Sequence, residues 1–242
     1  MSHEPDPAVL YPEVAALGSL AAALRAASAD QGVSLTMVET PSDPLRHATV
    51  ASVLAHRADL IVTAWHFERK WHVWGSANNG ILISGTTTDL RQLPGVALGW
   101  AEGAGLDEVD RAAPFDVLTG RFEVPDDDPA DVIESEWRWM LKDAGAADWP
   151  EYQALIEAAY AEPSLRRLYP YTSHWALGFA AAPDLPFGTP SFVSIDSPRG
   201  EGDYTIREWW NGPALIQVAT AAEAIAVAVD RIPEHLLRPA PH

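Results

Sequence analysis

Between Ala8 and Asp30 the apolar residues Leu10, Val14, Leu17, Ala21 and Leu24 recur every three or four positions. This spacing predicts one amphipathic helix, with Pro12 in its first turn and Gly32 past its end. Val33–Glu39 reads as a short strand before the turn-rich run Thr40–Pro44. From residue 48 to 87 the period shortens to two and β-branched and aromatic residues gather. Strands are expected at 50–56, 60–67, 71–76 and 80–87, with a hairpin at Asn78-Asn79-Gly80. Thr86–Asp89 then offers caps for a helix near 89–103, and Leu106–Arg111 a further helical turn.

The run Pro125-Asp-Asp-Asp-Pro129 is both the best internal boundary and a helix entrance, because Asp128 can cap while Pro129 fits the first turn. The helix that follows carries Ile133, Trp137, Met140, Leu141 and Ala144 on one face. A second helix carries Tyr152, Leu155, Ile156, Ala159 and Tyr160, with Asp148 as its expected cap. Strands are predicted at 175–181, 191–195, 204–210 and 214–219. A capping box of Thr220 and Glu223 opens a last helix that Pro233 stops.

These elements predict an α+β fold with antiparallel sheets and helices packed on one side. The natural division is an N-terminal module, 1–124, and a C-terminal module, 125–242, either separate or merged into one compact unit. Ile81–Ala101 and Leu215–Ile232 echo each other as strand, threonine cap, then helix, an order that fits either two related sheet-plus-helix modules or the common strand-to-helix transition with a threonine cap.

Charge and composition narrow the function. The 34 acidic and 16 basic residues give a net charge of −18, the wrong sign for neutralising phosphates, which argues against nucleic acid and anionic membranes as partners. Absence of cysteine removes disulfides, thiolate metal sites and a cysteine nucleophile. With no basic-then-apolar leader and no apolar run of about 18 residues, a soluble cytoplasmic protein is expected.

No Gly-x-Ser-x-Gly elbow, phosphate-binding glycine loop or His-Glu-x-x-His helix occurs. Gly200-Glu201-Gly202 lies between strands and reads as a hairpin tip. His66, Glu68 and His72 lie close in sequence but on adjacent strands without a third ligand strand. The expectation there is a solvated sheet face, no metal and no cofactor.

The densest polar-aromatic stretch is Tyr169-Pro-Tyr-Thr-Ser-His-Trp175. His174 with Tyr169 or Tyr171 is the candidate acid–base set, since a histidine titrates near neutrality and a tyrosine can relay its proton. Arg166 and Trp175 are candidate ligand contacts. So are Trp209 and Trp210, whose side chains must point to opposite faces of a strand, leaving one available for binding.

Glu162-Pro-Ser-Leu-Arg-Arg-Leu-Tyr-Pro-Tyr-Thr-Ser-His174, taken with Ala219-Thr-Ala-Ala-Glu-Ala-Ile225, resembles a family of actinomycete proteins described as natural product biosynthesis proteins. The likeness covers residues 130–232 and extends more weakly to Gly85–Leu90. Trp175 and Gly178 stand where the family carries polar residues. The resemblance implies a cytoplasmic accessory role in secondary metabolism and brings no catalytic residues with it.

Three readings follow. The first is a binding or accessory protein whose partner is a pathway enzyme, a carrier protein or an apolar metabolite. The second is a small cofactor-free enzyme using His174. The third is an acidic immunity-type protein that neutralises a basic toxin.

Overall fold

The computed structural model describes residues 5–39, 42–78, 80–182, 192–209 and 211–237. The chain divides into two compact units, Met1–Pro125 and Asp126–His242.

The first unit opens with three helices, α1 (Pro7–Leu10), α2 (Pro12–Leu17) and α3 (Leu20–Ala29). The sequence pattern predicts a single helix here. Gly18 ends α2 at a φ of 85°, and the Ser19 hydroxyl accepts the Ala22 N–H to start α3. A left-handed glycine followed by a capping serine therefore outweighs the continuous apolar period.

A meander follows: β1 (Met37–Glu39), β2 (His47–Val50), β3 (Leu60–Ala64), β4 (Trp71–Ala77) and β5 (Gly80–Thr87). After the helices α4 (Leu93–Ala101) and α5 (Leu106–Ala112), β6 (Val117–Thr119) joins β5, completing an antiparallel sheet in sequence order. Strand β2 ends where the sequence places its start, and residues 51–59 form a loop carrying an isolated bridge between Arg57 and Ala77. Leu60, Val62, Ala64, Trp71 and Val73 share one sheet face and bury it against Leu20, Leu24, Leu93, Val96 and Trp100 of the helices.

The second unit repeats that order of elements. Helices α6 (Pro129–Ala146), α7 (Pro150–Ala161) and α8 (Pro163–Arg166) precede a meander of β7 (Tyr169–Ser173), β8 (Ala176–Ala180), β9 (Ser194–Asp196), β10 (Tyr204–Arg207) and β11 (Ala214–Val218). Then come α9 (Ala221–Asp230) and α10 (Glu234–Leu237). The sheet order is β11-β10-β9-β8-β7, antiparallel throughout.

Asp128 caps α6 through the N–H groups of Ala130 and Asp131, and the Thr220–Glu223 box caps α9. Helix α7 starts on Pro150 without a side-chain cap. Leu177, Phe179, Ile195 and Ile206 form the inner sheet face and pack on Trp137, Tyr152, Leu155, Ile156 and Ile225. Both units therefore place helices on one face of an antiparallel meander and follow its fifth strand with a helix. Among the described residues, no helix is long and apolar enough to cross a membrane.

Candidate functional site

Ser173 pairs with Ala176, which leaves His174-Trp175 as a two-residue hairpin turn. Both residues have positive φ, 52° and 71°, the signature of a type I′ turn. Such turns ordinarily use Asn-Gly. A side-chain-bearing L-residue in this region costs about 1–2 kcal/mol, so the chain holds strain where an ordinary turn would avoid it. His174→Gly is expected to raise stability by about 0.5–1 kcal/mol, read as a higher denaturation midpoint at unchanged slope.

The strain is spent on placing an indole. Trp175 is 47% exposed, yet its inner edge packs on two rings of the helical layer. Its centroid lies 6.1 Å from Trp149 and 5.6 Å from Tyr152, the latter edge-on at 89°. Trp149 sits 5.4 Å from Tyr152, and Arg199 of the β9–β10 loop lies 4.2 Å from the Trp149 centroid as a cation–π partner. The Trp149 indole N–H donates to the Pro198 carbonyl, tying the start of α7 to the same loop. Burial, reinforced by Asp143 and Glu136, pushes the Tyr152 phenol above its ordinary value, so that ring stays neutral. Three segments thus converge at one end of the unit: the α6–α7 turn, the β7–β8 turn and the β9–β10 loop.

The candidate residues are divided rather than gathered. Tyr171 pairs across the sheet with Gly178, on the face away from the helices, whereas Trp175 turns toward the helical layer. A Cβ added at Gly178 would lie 2.7 Å from Tyr171 Cζ, so the ring lies flat on the glycine. Gly178→Ala is therefore expected to cost about 1–3 kcal/mol through displacement of that ring, measurable by urea denaturation.

On the same face Ser194 lies opposite both Gly178 and Arg207, and its buried hydroxyl has no hydrogen-bond partner among the described residues. Arg207 pairs with Asp196 at 2.7 Å and also donates to the Gly212 carbonyl. Tyr169 is half-buried on that face, two residues before Tyr171, and His174 is exposed at the turn.

Alternation of strand direction sends Arg166 and Trp209 to the end of the sheet opposite Trp175. Arg166 bonds Glu134 at 3.1 Å and stacks on Tyr160 at 4.3 Å. Trp209, 47% exposed, lies against Gly212 in the β10–β11 loop. Trp210 lies outside the described residues. Sequence reasoning missed Trp149, Tyr152 and Arg199; the available signal was Trp149 immediately before Pro150 at a helix start.

A shallow groove of about 430 Å³ runs between α7 and α9, floored by Ala158, Ile225 and Val229 and rimmed by Glu162 and Asp230. Its volume falls within the range of small-molecule sites.

In the first unit, His66 and Glu68 are exposed in the β3–β4 loop, and Glu68 pairs with Lys70 at 2.6 Å. His72 lies on β4, bonded to Ser84 at 2.9 Å and 4.9 Å from Trp74; burial holds its imidazole below the usual value, favouring the neutral ring. Among the described residues, no three potential metal ligands form a group. The loop itself is fastened by Tyr11, whose hydroxyl lies 2.9 Å from the carbonyls of Trp65 and Glu68 and accepts the Lys70 N–H at 3.2 Å.

Residues 131–240 match the model of a family of unknown function (DUF6193). The match falls entirely within the second compact unit and includes the strained turn. No curated protein and no solved structure matches the chain.

Proposed function

We propose that this protein, whose second unit carries the family match, is a binding or accessory protein of natural product biosynthesis. It receives an apolar group of a pathway enzyme, carrier protein or metabolite on Trp175. One observation carries the reading: an indole left half-exposed at a hairpin turn of two positive-φ residues, neither of them glycine or asparagine. A tryptophan fixed on a rigid aromatic base loses little entropy when a partner covers it, which is how aromatic anchors dominate binding surfaces. The likeness of Glu162–His174 to natural product biosynthesis proteins supplies the pathway context, and a cytoplasmic location goes with it.

The enzyme reading draws its support from the other sheet face. There Tyr171, Ser194 and Arg207 lie along one row across the sheet, the Ser194 hydroxyl without a hydrogen-bond partner among the described residues, while His174 stands at the turn. The immunity reading rests on the charge of −18 alone.

A thermal-shift screen against the proteins and metabolites encoded beside the gene tests the proposal. A true partner at a hundred times its Kd stabilises the wild type by about 2.7 kcal/mol and leaves Trp175→Ala nearly unshifted. Equal shifts in both proteins would remove Trp175 from the account.

A further inference from the structure

Antiparallel sheets end in edge strands whose outward N–H and C=O groups invite pairing, and stable proteins blunt such edges. Among the described strands, three of the four sheet edges are blunted. Strands β1 and β6 are three residues long, and β7 carries Pro170, which has no N–H to offer.

The fourth edge, β11, is different. It runs five residues, Ala-Leu-Ile-Gln-Val, without charge or proline, and Ala214 through Gln217 are all exposed. Leu215 is 37% and Ile216 42% exposed. Its backbone pairs with β10 on one side, and among the described residues no hydrogen bond is made on the other.

We propose that β11 is a strand-pairing edge whose occupant is β11 of a second copy of this chain, joining two five-stranded sheets across a two-fold axis at Ile216. Three features favour a second copy. First, the strand is self-complementary when run antiparallel: Ile216 meets Ile216 of the other copy, Leu215 meets Gln217, and Ala214 meets Val218. The contact contains a β-branched pair and no like charges. Second, no acidic or basic residue occurs from Trp209 to Ala222, in a chain whose net charge is −18. Two copies repel one another elsewhere but can approach here, whereas a basic partner would find nothing to pair with. Third, a shape that requires two-fold pairing needs only one open edge per chain, and only this edge is left unblunted among the four.

A five-residue pairing buries less than the roughly 1,200 Å² typical of stable complexes. The dimer is therefore expected to be reversible, forming at concentrations on the order of 10–100 μM.

Sedimentation velocity of the full chain across a concentration series tests this. The wild type is expected to pass from monomer to dimer mass. Ile216→Lys and Ile216→Glu are each expected to stay monomeric, because like charges then face one another on the axis, and an equimolar mixture of the two should restore the dimer. Circular dichroism of each variant checks folding. If either fails to fold, the exposed double substitutions Leu215→Lys/Gln217→Lys and Leu215→Glu/Gln217→Glu replace them in the same mixing design. A wild type that stays monomeric to about 500 μM, a dimer that survives in the single variants, or a mixture that stays monomeric overturns the proposal. The first of these outcomes would leave the edge to a strand from a different protein.

Discussion

Arg57→Ala is expected to destabilise the first unit by about 3–5 kcal/mol, enough to unfold many domains of this size. The Arg57 side chain is fully buried. Its guanidinium binds Glu123 through two bonds, of 2.6 and 2.8 Å, donates to the Ala104 carbonyl at 2.7 Å, and lies 4.6 Å from the Trp100 ring centre. His56 adds a contact of 2.9 Å to the same Glu123 oxygen. Removing the cation leaves the carboxylate in a site with little water, which is worse than never having had the pair. Glu123→Gln is expected to cost less, since an amide keeps part of the bonding but lacks the charge.

The same pair sets an acid limit. Its bonds to Arg57, and then to His56, hold the Glu123 carboxyl below its ordinary value. A depressed folded pKa contributes stability that is fully present above the unfolded value of about 4.3 and is lost as pH falls through the folded value. Urea midpoints taken from pH 6 down to pH 3 should therefore fall more steeply for the wild type than for Glu123→Gln. Parallel slopes in the two proteins would show that this carboxylate does not govern the acid limb.

Trp175→Ala is expected to weaken partner binding by at least 30-fold, equivalent to about 2 kcal/mol, while lowering stability by only about 1 kcal/mol. The asymmetry follows from the geometry. About half of the indole is already packed on Trp149 and Tyr152, and that half sets the stability cost; the exposed half is what a partner would cover. Trp149→Ala should reverse the pattern, because that ring is almost wholly buried and braces the start of α7. A truncation at Trp149 therefore registers chiefly in unfolding, and one at Trp175 chiefly in affinity.

What the chain announces in its pattern is what depends on neighbours in sequence. The Thr220–Glu223 box, the Asp128 cap with Pro129, and the alternation of β3 and β4 all act within a few residues, and each element starts where its pattern places it, although β3 stops at Ala64 instead of running on to Phe67. The α+β class with helices on one side of antiparallel sheets follows from those local rules.

What stayed hidden depends on distant residues. Arg57 and Glu123 lie 66 positions apart with no motif between them. Strand β7 was concealed because Tyr169–Ser173 contains a proline and ends in a turn with neither glycine nor asparagine, so no turn rule identifies it. Trp149 and Arg199 reach Trp175 only after two loops fold to the same end of the sheet. For the candidate residues the division by strand direction decides most: His174 and Trp175 lie at one end, Arg166 and Trp209 at the other, and Tyr171 on the far face, so proximity in sequence overstated how closely they assemble.

The most direct measurement of the binding account is the tryptophan indole N–H spectrum of ¹⁵N-labelled protein, with Trp175 and Trp209 assigned by substitution with Phe, titrated with the partner found by thermal shift. The account predicts that the Trp175 resonance moves with the titration while that of Trp209, at the opposite end of the sheet, stays in place. Movement at Trp209 with Trp175 silent, or conversion of the added molecule to a product that Tyr171→Phe prevents, would contradict it.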